Sequence, residues 1–528
     1  MAKIIRNMGT TARNLMLDLP QLWLVLGILW YLFAPSSSHA QERLTTIQPN
    51  NPNIQFTGRW NFDAPDQPWV VWQGSTLLIR FNGTDIQAEL VAEKNVQQFR
   101  VIVDGVPNMQ RIYLNPGENL VNIAQNMSSG EHTIEIMKET FTASKTTFLG
   151  FKLSGKILTP PVRPALRIEW FGDSNMAGNS NYSEKNSGDM GTYYAYPAMV
   201  TRMLGAEMNL EAVGGATIEG KGDNNVGAFI YSENFRDQDP GYRSGFDPHL
   251  IVMNAGANDI NRSDKPTIIQ RYKNVVTALR SVYGSKPHIV LMNSYGWDVN
   301  EPANYTPDVV KEIGGNISVF LFPWLWEKWH GSQWDHSGQA HLLVEHVASV
   351  NPAWAQVNPA DVADGFGRRG DFANGSFEHA APFGGFGWRY RKDGVERIQD
   401  TQSASYGDFY IRLEEGEFVH QPTDATADFE GGGTAGVEVY TITADIRGIT
   451  PNAQASFTSE FQGQQIWTRK GPQETIFDLT REWKEYAATS TAPPNTWTLF
   501  NTIKAVKGTI DVDNVRMSLT QIQNSRTE

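Results

Sequence analysis

The sequence predicts a multidomain chain: an N-terminal β-sandwich of the jelly-roll kind, a central α/β domain with a parallel, flavodoxin-like sheet, and a C-terminal β-sandwich. Three observations carry this expectation. Short alternating apolar runs separated by turn signals fill residues 45–155 and again 371–520. Between them, over residues 166–350, apolar strand-like runs alternate with helical patterns. That alternation calls for a parallel sheet with helices on both faces. Finally, Pro160, Pro161 and Pro164 stiffen an extended linker, residues 156–165, ahead of the central domain. At 528 residues the chain is too long for one core, as this division requires.

Residues 1–40 read as a signal peptide. Lys3, Arg6 and Arg13 supply the positive end, residues 22–34 are almost wholly apolar, and Ser38-His39-Ala40 offers a cleavage site. The expected location is secreted, periplasmic or on the cell surface. An uncleaved anchor is the alternative, because the segment before the apolar core is long. In residues 45–155, runs at 76–81, 99–103 and 130–138 read as strands. Asn82-Gly83 and Asp104-Gly105 mark turns. His132 reads as a strand residue beside a turn.

In the central domain the expected strands are 166–171, 207–213, 249–254, 287–293 and 317–322. The clearest helix spans 266–282, with Ile268, Ile269, Tyr272, Val275, Val276 and Leu279 at helical spacing and Pro266 at its start. In such sheets the active site lies at the carboxyl ends of the strands. Residues 351–370 connect to the C-terminal domain, and 524–528 read as a frayed tail.

Composition narrows the functional classes. A net charge of -13 with no long basic run argues against nucleic-acid binding. The absence of cysteine rules out disulfides, thiolate metal sites and a cysteine nucleophile. The 16 tryptophans suit either sugar stacking or large β cores. No His/Asp cluster has metal-ligand spacing. Asp511, Asp513 and Glu378 are of a type that suits calcium, yet they read more simply as exposed turn carboxylates.

Three strand-end turns in the central domain look built for chemistry. Ser174, on the sharp turn Gly172-Asp173-Ser174, is placed where a substrate reaches a nucleophile. Gly214 and Gly215 follow the second strand and Asn258 follows the third. The backbone N–H of Ser174, that of Gly215 and the Asn258 amide together form an expected oxyanion hole. Asp173 reads as a turn brace. For the base, His249 and His288 sit at strand beginnings, and His341 and His346 fall inside a helical pattern over 337–350. His336 remains the best candidate, with His330 its competitor. Trp297 and Trp334 are candidates for a sugar subsite, among neighbours Trp324, Trp326 and Trp329.

The blocks Gly172-Asp173-Ser174, Gly215, Gly256-Ala257-Asn258-Asp259 and His336, in this order, resemble the SGNH (GDSL-like) hydrolases. Gly58-Arg59, residues 72–75, residues 81–84, Gly130 through Glu139, Tyr196-Pro197 and residues 336–341 resemble carbohydrate esterase family 2. The likeness spans residues 50–350. It implies an extracellular deacetylase of plant-type polysaccharide that needs no cofactor. It also implies a partner that is an acetylated polysaccharide or oligosaccharide; no protein partner is predicted. One departure stands out. Many SGNH hydrolases place an orienting Asp three residues before the catalytic His, and here that residue is Gln333. The resemblance implies instead a Ser–His dyad oriented by a backbone carbonyl, from Gln333 or Trp334, with Asp335 the minority alternative. A carbonyl fixes the tautomer but stabilises imidazolium less than a carboxylate does.

The C-terminal domain more loosely resembles carbohydrate-binding modules of the family 4/9/16 type, through residues 374–378, 406–413 and 510–515. Trp388, Tyr390, Trp467, Trp483 and Trp497 are its candidate stacking residues, and each reads as well as a core residue. The expected function is hydrolysis of O-acetyl groups from xylan- or glucomannan-like glycans. The alternatives are a non-catalytic carbohydrate-binding or adhesion protein, and a lipase or thioesterase on the same scaffold.

Overall fold

The structure is a computed structural model describing residues 44–108, 111–141, 143–178, 191–235, 239, 241–260, 262–292, 305–320, 333–358, 372, 375–378, 388–390, 396–424, 436–462, 469–494, 496 and 498–523. The expected leader, residues 1–40, lies outside the described residues. Among the described residues no helix is long and apolar enough to cross a membrane.

The N-terminal region is strand-rich. It holds a five-stranded and a seven-stranded sheet with antiparallel pairings. Their sequences alternate as a half-buried strand must: Ile86, Ala88, Leu90 and Ala92 point inward from one sheet, and Leu77, Ile79 and Phe81 from the other, into one shared core.

His132 lies on the strand Gly130–Lys138 and ties it to the neighbouring turn. Nδ1 lies 2.7 Å from Asp104 Oδ2 and Nε2 lies 2.8 Å from the Ser128 carbonyl. Two acceptors on one ring are satisfied together only by the doubly protonated form. The hydrogen bond to Asp104 accordingly raises the His132 pKa, helped by the bond to Ser128. A raised folded pKa gives stability that is complete below the unfolded value near 6.5 and lost as pH rises through the folded value. Because Asp104 is half exposed, the pair is worth about 1 kcal/mol at most. Urea midpoints at pH 5.5 and 8.5 test this. The wild type is expected to lose stability between them by an amount that His132→Gln does not lose.

The central region contains a five-stranded parallel sheet: β1 (Arg167–Gly172), β2 (Glu207–Ala212), β3 (Leu250–Asn254), β4 (His288–Met292) and β5 (Ile317–Phe320). The spatial order is 2-1-3-4-5, with every pairing parallel. Each strand falls within about a residue or two of its expected span. β3 and β4 are buried at every position, as two-sided coverage demands. Five α-helices are described here: α1 (Tyr196–Met203), α2 (Val226–Phe229), α3 (Lys265–Tyr283), α4 (Tyr305–Ile313) and α5 (Gln333–Val350). α3 begins where Asp264 accepts from the Thr267 amide at 3.0 Å, and ends at Gly284, φ +78°. The two faces of the sheet feed separate cores. Ile168 and Trp170 point into one with α1 and α5, and Phe171, Ile251 and Met253 into the other with α3. α5 starts four residues earlier than the pattern over 337–350 implies, so His336 lies within its first turn rather than ahead of it.

The C-terminal region is also strand-rich, with two five-stranded sheets sharing a core. Val437–Gly448 alternates half-buried and buried over its whole length. One open reading is decided here and one expectation is corrected. Trp388 is 4% exposed and stacks on Phe372 at 5.1 Å, so it is a core residue. Asp511 and Asp513 are fully buried, not exposed turn carboxylates. Asp511 is held between Arg412 at 2.7 Å and Arg447 at 2.9 Å. Asp513 accepts from the Ser405 and Tyr406 amides at 2.9 and 2.8 Å, and burial pushes its carboxyl up to about 6. Glu378 accepts from the Asp408 and Phe409 amides, both at 3.0 Å. Backbone amides and guanidinium groups are thus the described partners of these three carboxylates. Trp483 is half-buried, with its Nε1 donating to the Ser403 carbonyl at 2.6 Å and Arg447 over its ring at 4.5 Å. Tyr390 lies in the strand Arg389–Tyr390. Trp467 and Trp497 lie outside the described residues.

Candidate active site

Parallel register brings the carboxyl ends of three adjacent strands level, with Gly172 of β1 opposite Ala212 of β2 and Asn254 of β3. The three turns leave from this edge and are tied to one another. The Asp173 N–H donates to the Asn254 carbonyl at 3.2 Å, and the Val213 N–H donates to the Gly172 carbonyl at 3.3 Å. The Asn258 side-chain amide donates to the Ala216 carbonyl at 2.9 Å. Gly172 is needed for the close approach, since a Cβ there would stand 2.7 Å from the Asn254 oxygen.

Within the first turn, Asp173 is fully buried and its Oδ1 accepts from the Asn175 N–H at 3.0 Å. Asp173 therefore braces the turn that carries Ser174, which is 7% exposed. In the second turn Gly215 adopts φ +77°, a left-handed conformation that glycine enters without penalty. Gly214 and Gly215 are both exposed at this edge. In the third turn Asp259 is buried. Its Oδ2 accepts from the Ile218 N–H at 3.0 Å and its Oδ1 from Arg271 at 2.6 Å. Burial raises its pKa, and the two donors oppose that rise. This bridge holds the second and third turns together. Asn258 keeps one of its two amide hydrogens beyond the bond to Ala216.

His336 is completely buried. Its Nδ1 accepts from the Tyr196 backbone N–H at 3.3 Å, and the two rings lie nearly parallel, 14° apart, with centroids 5.7 Å apart. The Tyr196 hydroxyl in turn accepts from Asn254 Nδ2 at 2.9 Å. A run of contacts therefore joins the serine turn to the imidazole: Asp173, Asn254, Tyr196, His336. The described partner of Nδ1 is a donor.

Gln333, Trp334 and Asp335 form the start of α5, and their side chains are not among the described ones. Trp297, Trp324, Trp326, Trp329 and His330 lie outside the described residues. Three other histidines of the central region are engaged elsewhere. His249 Nδ1 accepts from the Arg167 N–H at 3.2 Å. His288 and His346 both meet Ser318, at 2.8 and 2.9 Å, where β4 begins. Among the described residues no group of His, Asp or Glu has a metal-binding arrangement.

Sequence reasoning passed over Asn254 and gave Tyr196 only as part of a family-like dipeptide. Pro197 next to Tyr196 marks a helix start, which was the available signal. Nothing local marks Asn254 as a hydrogen-bond donor to a tyrosine 58 positions away.

The comparisons with known proteins agree with this architecture. Residues 56–161 match the carbohydrate esterase 2 N-terminal family, and residues 170–371 match the GDSL-like lipase/acylhydrolase family. The cellulase/esterase CelE of Acetivibrio thermocellus is 27% identical over 336 residues. That match covers 58% of this chain, and the chain spans 40% of the length of that relative. A family two carbohydrate esterase from Clostridium thermocellum, solved with cellohexaose, superposes with a TM-score of 0.51 at 24% identity, covering 57% of this chain and 99% of its own. A family two carbohydrate esterase from Cellvibrio japonicus gives 0.54 at 22%, covering 60% and 99%. The acetyl xylan esterase Est2A from Butyrivibrio proteoclasticus gives 0.52 at 19%, covering 59% and 99%. At these identities the superpositions establish the fold.

Proposed function

We propose that this chain, a homologue of the family two carbohydrate esterases, is an exported ester hydrolase that removes O-acetyl groups from polysaccharide or oligosaccharide hydroxyls. The observation that carries this reading is the single sheet edge where Ser174, Gly215 and Asn258 leave three adjacent strands, with His336 joined to it through Tyr196 and Asn254. The relatives support the substrate class, being carbohydrate esterases, one of them solved with cellohexaose and one an acetyl xylan esterase. Residues 1–40 as a signal peptide support export. In this reading the N-terminal region is a jelly-roll sandwich, and the C-terminal region is a sandwich of the carbohydrate-binding-module kind.

In the proposed chemistry, Ser174 Oγ attacks the acetyl carbonyl carbon while His336 takes its proton. The carbonyl oxygen becomes an oxyanion facing the Ser174 and Gly215 N–H groups and the remaining Asn258 amide hydrogen. The tetrahedral species collapses to an acetyl-serine, and His336 hands its proton to the departing sugar oxygen. Water then attacks the acetyl-serine, His336 accepts a proton from it, and acetate leaves as Ser174 is reprotonated.

Acetate release from acetylated xylan and glucomannan, alongside p-nitrophenyl esters of increasing chain length, tests the reading. Release of acetate from the glycans and a preference for the acetyl ester are expected. A preference for long acyl chains would replace the reading with a lipase or thioesterase, and no turnover would replace it with a binding protein. Asn258→Ala is expected to lower kcat by about 100- to 1,000-fold with KM little changed, as loss of one oxyanion donor does.

A further inference from the structure

We infer that Thr192 is a positioning residue for Ser174, through which the N-terminal region holds the serine turn from behind. The inference rests on the reading of Ser174 as the nucleophile. A nucleophile reacts fast only when its oxygen is fixed before the substrate arrives, and a misplacement of about 1 Å costs about 100-fold in rate. The start of the Ser174 turn is fixed by the sheet edge, where the Asp173 N–H donates to the Asn254 carbonyl. Its far end, Ala177 and Gly178, is held by two residues that come later in the chain. The Gly191 N–H donates to the Gly178 carbonyl at 3.1 Å, and the Thr192 hydroxyl donates to the Ala177 carbonyl at 3.3 Å.

The same hydroxyl reaches the N-terminal region. It lies 3.0 Å from the Glu139 carbonyl, which also accepts from the Thr192 N–H at 3.3 Å. A hydroxyl carries one hydrogen, so the Glu139 and Ala177 carbonyls share it. Thr192 is therefore a point where the backbone of the serine turn meets the backbone of the N-terminal region. It is fully buried, and its β-branch restricts χ1, so the direction of the hydroxyl is set. The Glu139 end is built as a fixed seat. Glu139 is fully buried, with Oε1 paired to Arg100 at 2.6 Å and Oε2 accepting from the Tyr193 N–H at 3.0 Å. Arg100 also donates to the Asn108 carbonyl at 2.7 Å. Tyr193, next to Thr192, meets two guanidinium groups, with Arg202 3.8 Å and Arg100 5.7 Å from its ring centroid. Arg202, on α1, donates to the Tyr193 carbonyl at 2.7 Å. Residues 191–195 are buried at every position, so this segment is interior packing and not a surface loop. The strand-rich N-terminal region thereby takes part in placing Ser174, although it supplies no reacting group.

Thr192→Val removes the shared hydrogen at nearly constant shape, and Thr192→Ser keeps it. With p-nitrophenyl acetate as probe, kcat is expected to fall about 10-fold in Thr192→Val at a KM within about 2-fold of wild type, and to stay within about 3-fold of wild type in Thr192→Ser. A second readout is independent of turnover. The second-order rate constant for labelling by a fluorophosphonate, followed by mass spectrometry of the Ser174 peptide, reports how well the serine oxygen is placed. It is expected to fall about 10-fold in Thr192→Val as well. Thermal melts are run beside both. A merely structural role would lower the melting temperature and leave kcat and the labelling rate at their wild-type values, and that result overturns the inference. Should Thr192→Val fail to fold, Thr192→Ala and Glu139→Gln carry the test. The first removes the hydroxyl, and the second leaves Arg100 and the Tyr193 N–H to compete for one acceptor oxygen. Each is expected to lower the labelling rate by about 3-fold or more, and wild-type labelling in both overturns the inference. A wild type that takes no label at Ser174, with turnover surviving in Ser174→Ala, would sink the nucleophile reading and the Thr192 role with it. Labelling at Ser174 that proceeds at the wild-type rate in Thr192→Val sinks only the latter.

Discussion

Ser174→Ala is expected to lower turnover of acetyl esters by about a million-fold, to the residual rate that binding and oxyanion donors alone provide. The reason is chemical. Alanine leaves no oxygen to form the acetyl-serine, and water held in its place has neither the position nor the activated proton. The fold should not notice the change. The bonds that shape the turn come from backbone groups and from Asp173, and the side chain lost is small. Thermal melts within about a degree of wild type, beside acetate release at background, make up the expected result. His336→Ala should cost a similar amount, and the double variant no more than either single one, because groups that act on one proton transfer are not additive. Turnover retained in Ser174→Ala would remove the serine mechanism altogether.

Arg59→Leu is expected to destabilise the protein by about 3–5 kcal/mol, the cost of stranding a buried carboxylate. Arg59 belongs to the N-terminal region, yet its guanidinium is fully buried against the central sheet. It pairs with Glu169 of β1 at 2.7 Å and donates to the Phe229 and Ser232 carbonyls at 2.6 and 2.5 Å. Glu211 of β2 stands 3.0 Å from Arg59 Nε as an ion-pair contact without hydrogen-bond alignment. Two carboxyl groups thus face one guanidinium. Burial pushes the Glu211 pKa well up, Arg59 opposes the rise, and Glu169 adds to it. Glu211 therefore gives up its proton less readily than an exposed glutamate does. The sign of the pH effect follows. The folded state keeps a proton that the unfolded chain gives up above about pH 4.5, so Glu211 takes stability away as pH rises toward neutrality. Glu211→Gln keeps the neutral shape and removes that loss. It is expected to fold at least as stably as wild type at pH 7, in contrast to Arg59→Leu. Urea unfolding of the two variants at pH 5 and pH 7 checks both statements. An Arg59→Leu protein as stable as wild type would show that the cluster does not lock the N-terminal region to the sheet.

How legible these features were in the sequence depended on the range of the signal. The α3 helix was readable because its apolar residues recur at 3.6-residue spacing and both ends carry local caps, Asp264 and Gly284. α5 was misjudged by four residues because no such pattern marks its first turn. Trp388 illustrates a different limit. A tryptophan beside glycines reads equally as a sugar platform or as core, and only its packing on Phe372 and Phe377 decides between them. Asp511 and Asp513 look like turn carboxylates until their distant partners, Arg412, Arg447, Ser405 and Tyr406, are known.

By itself the sequence determined the three-region order, the alternation that makes a parallel central sheet, and the candidate residues Ser174, Gly215, Asn258 and His336. These follow from periodicity and from short motifs at strand ends, which are local properties. Only the tertiary structure decided what surrounds the imidazole: a tyrosine ring and amide at Nδ1, anchored through Asn254 to the serine turn and through Glu139 to a separate region of the chain. Those partners are separated by 58 positions between Tyr196 and Asn254, and by 140 between Tyr196 and His336. Hydrogen bonds across such distances are set by which strands pair and how helices dock on them, and no local pattern of residue types encodes that.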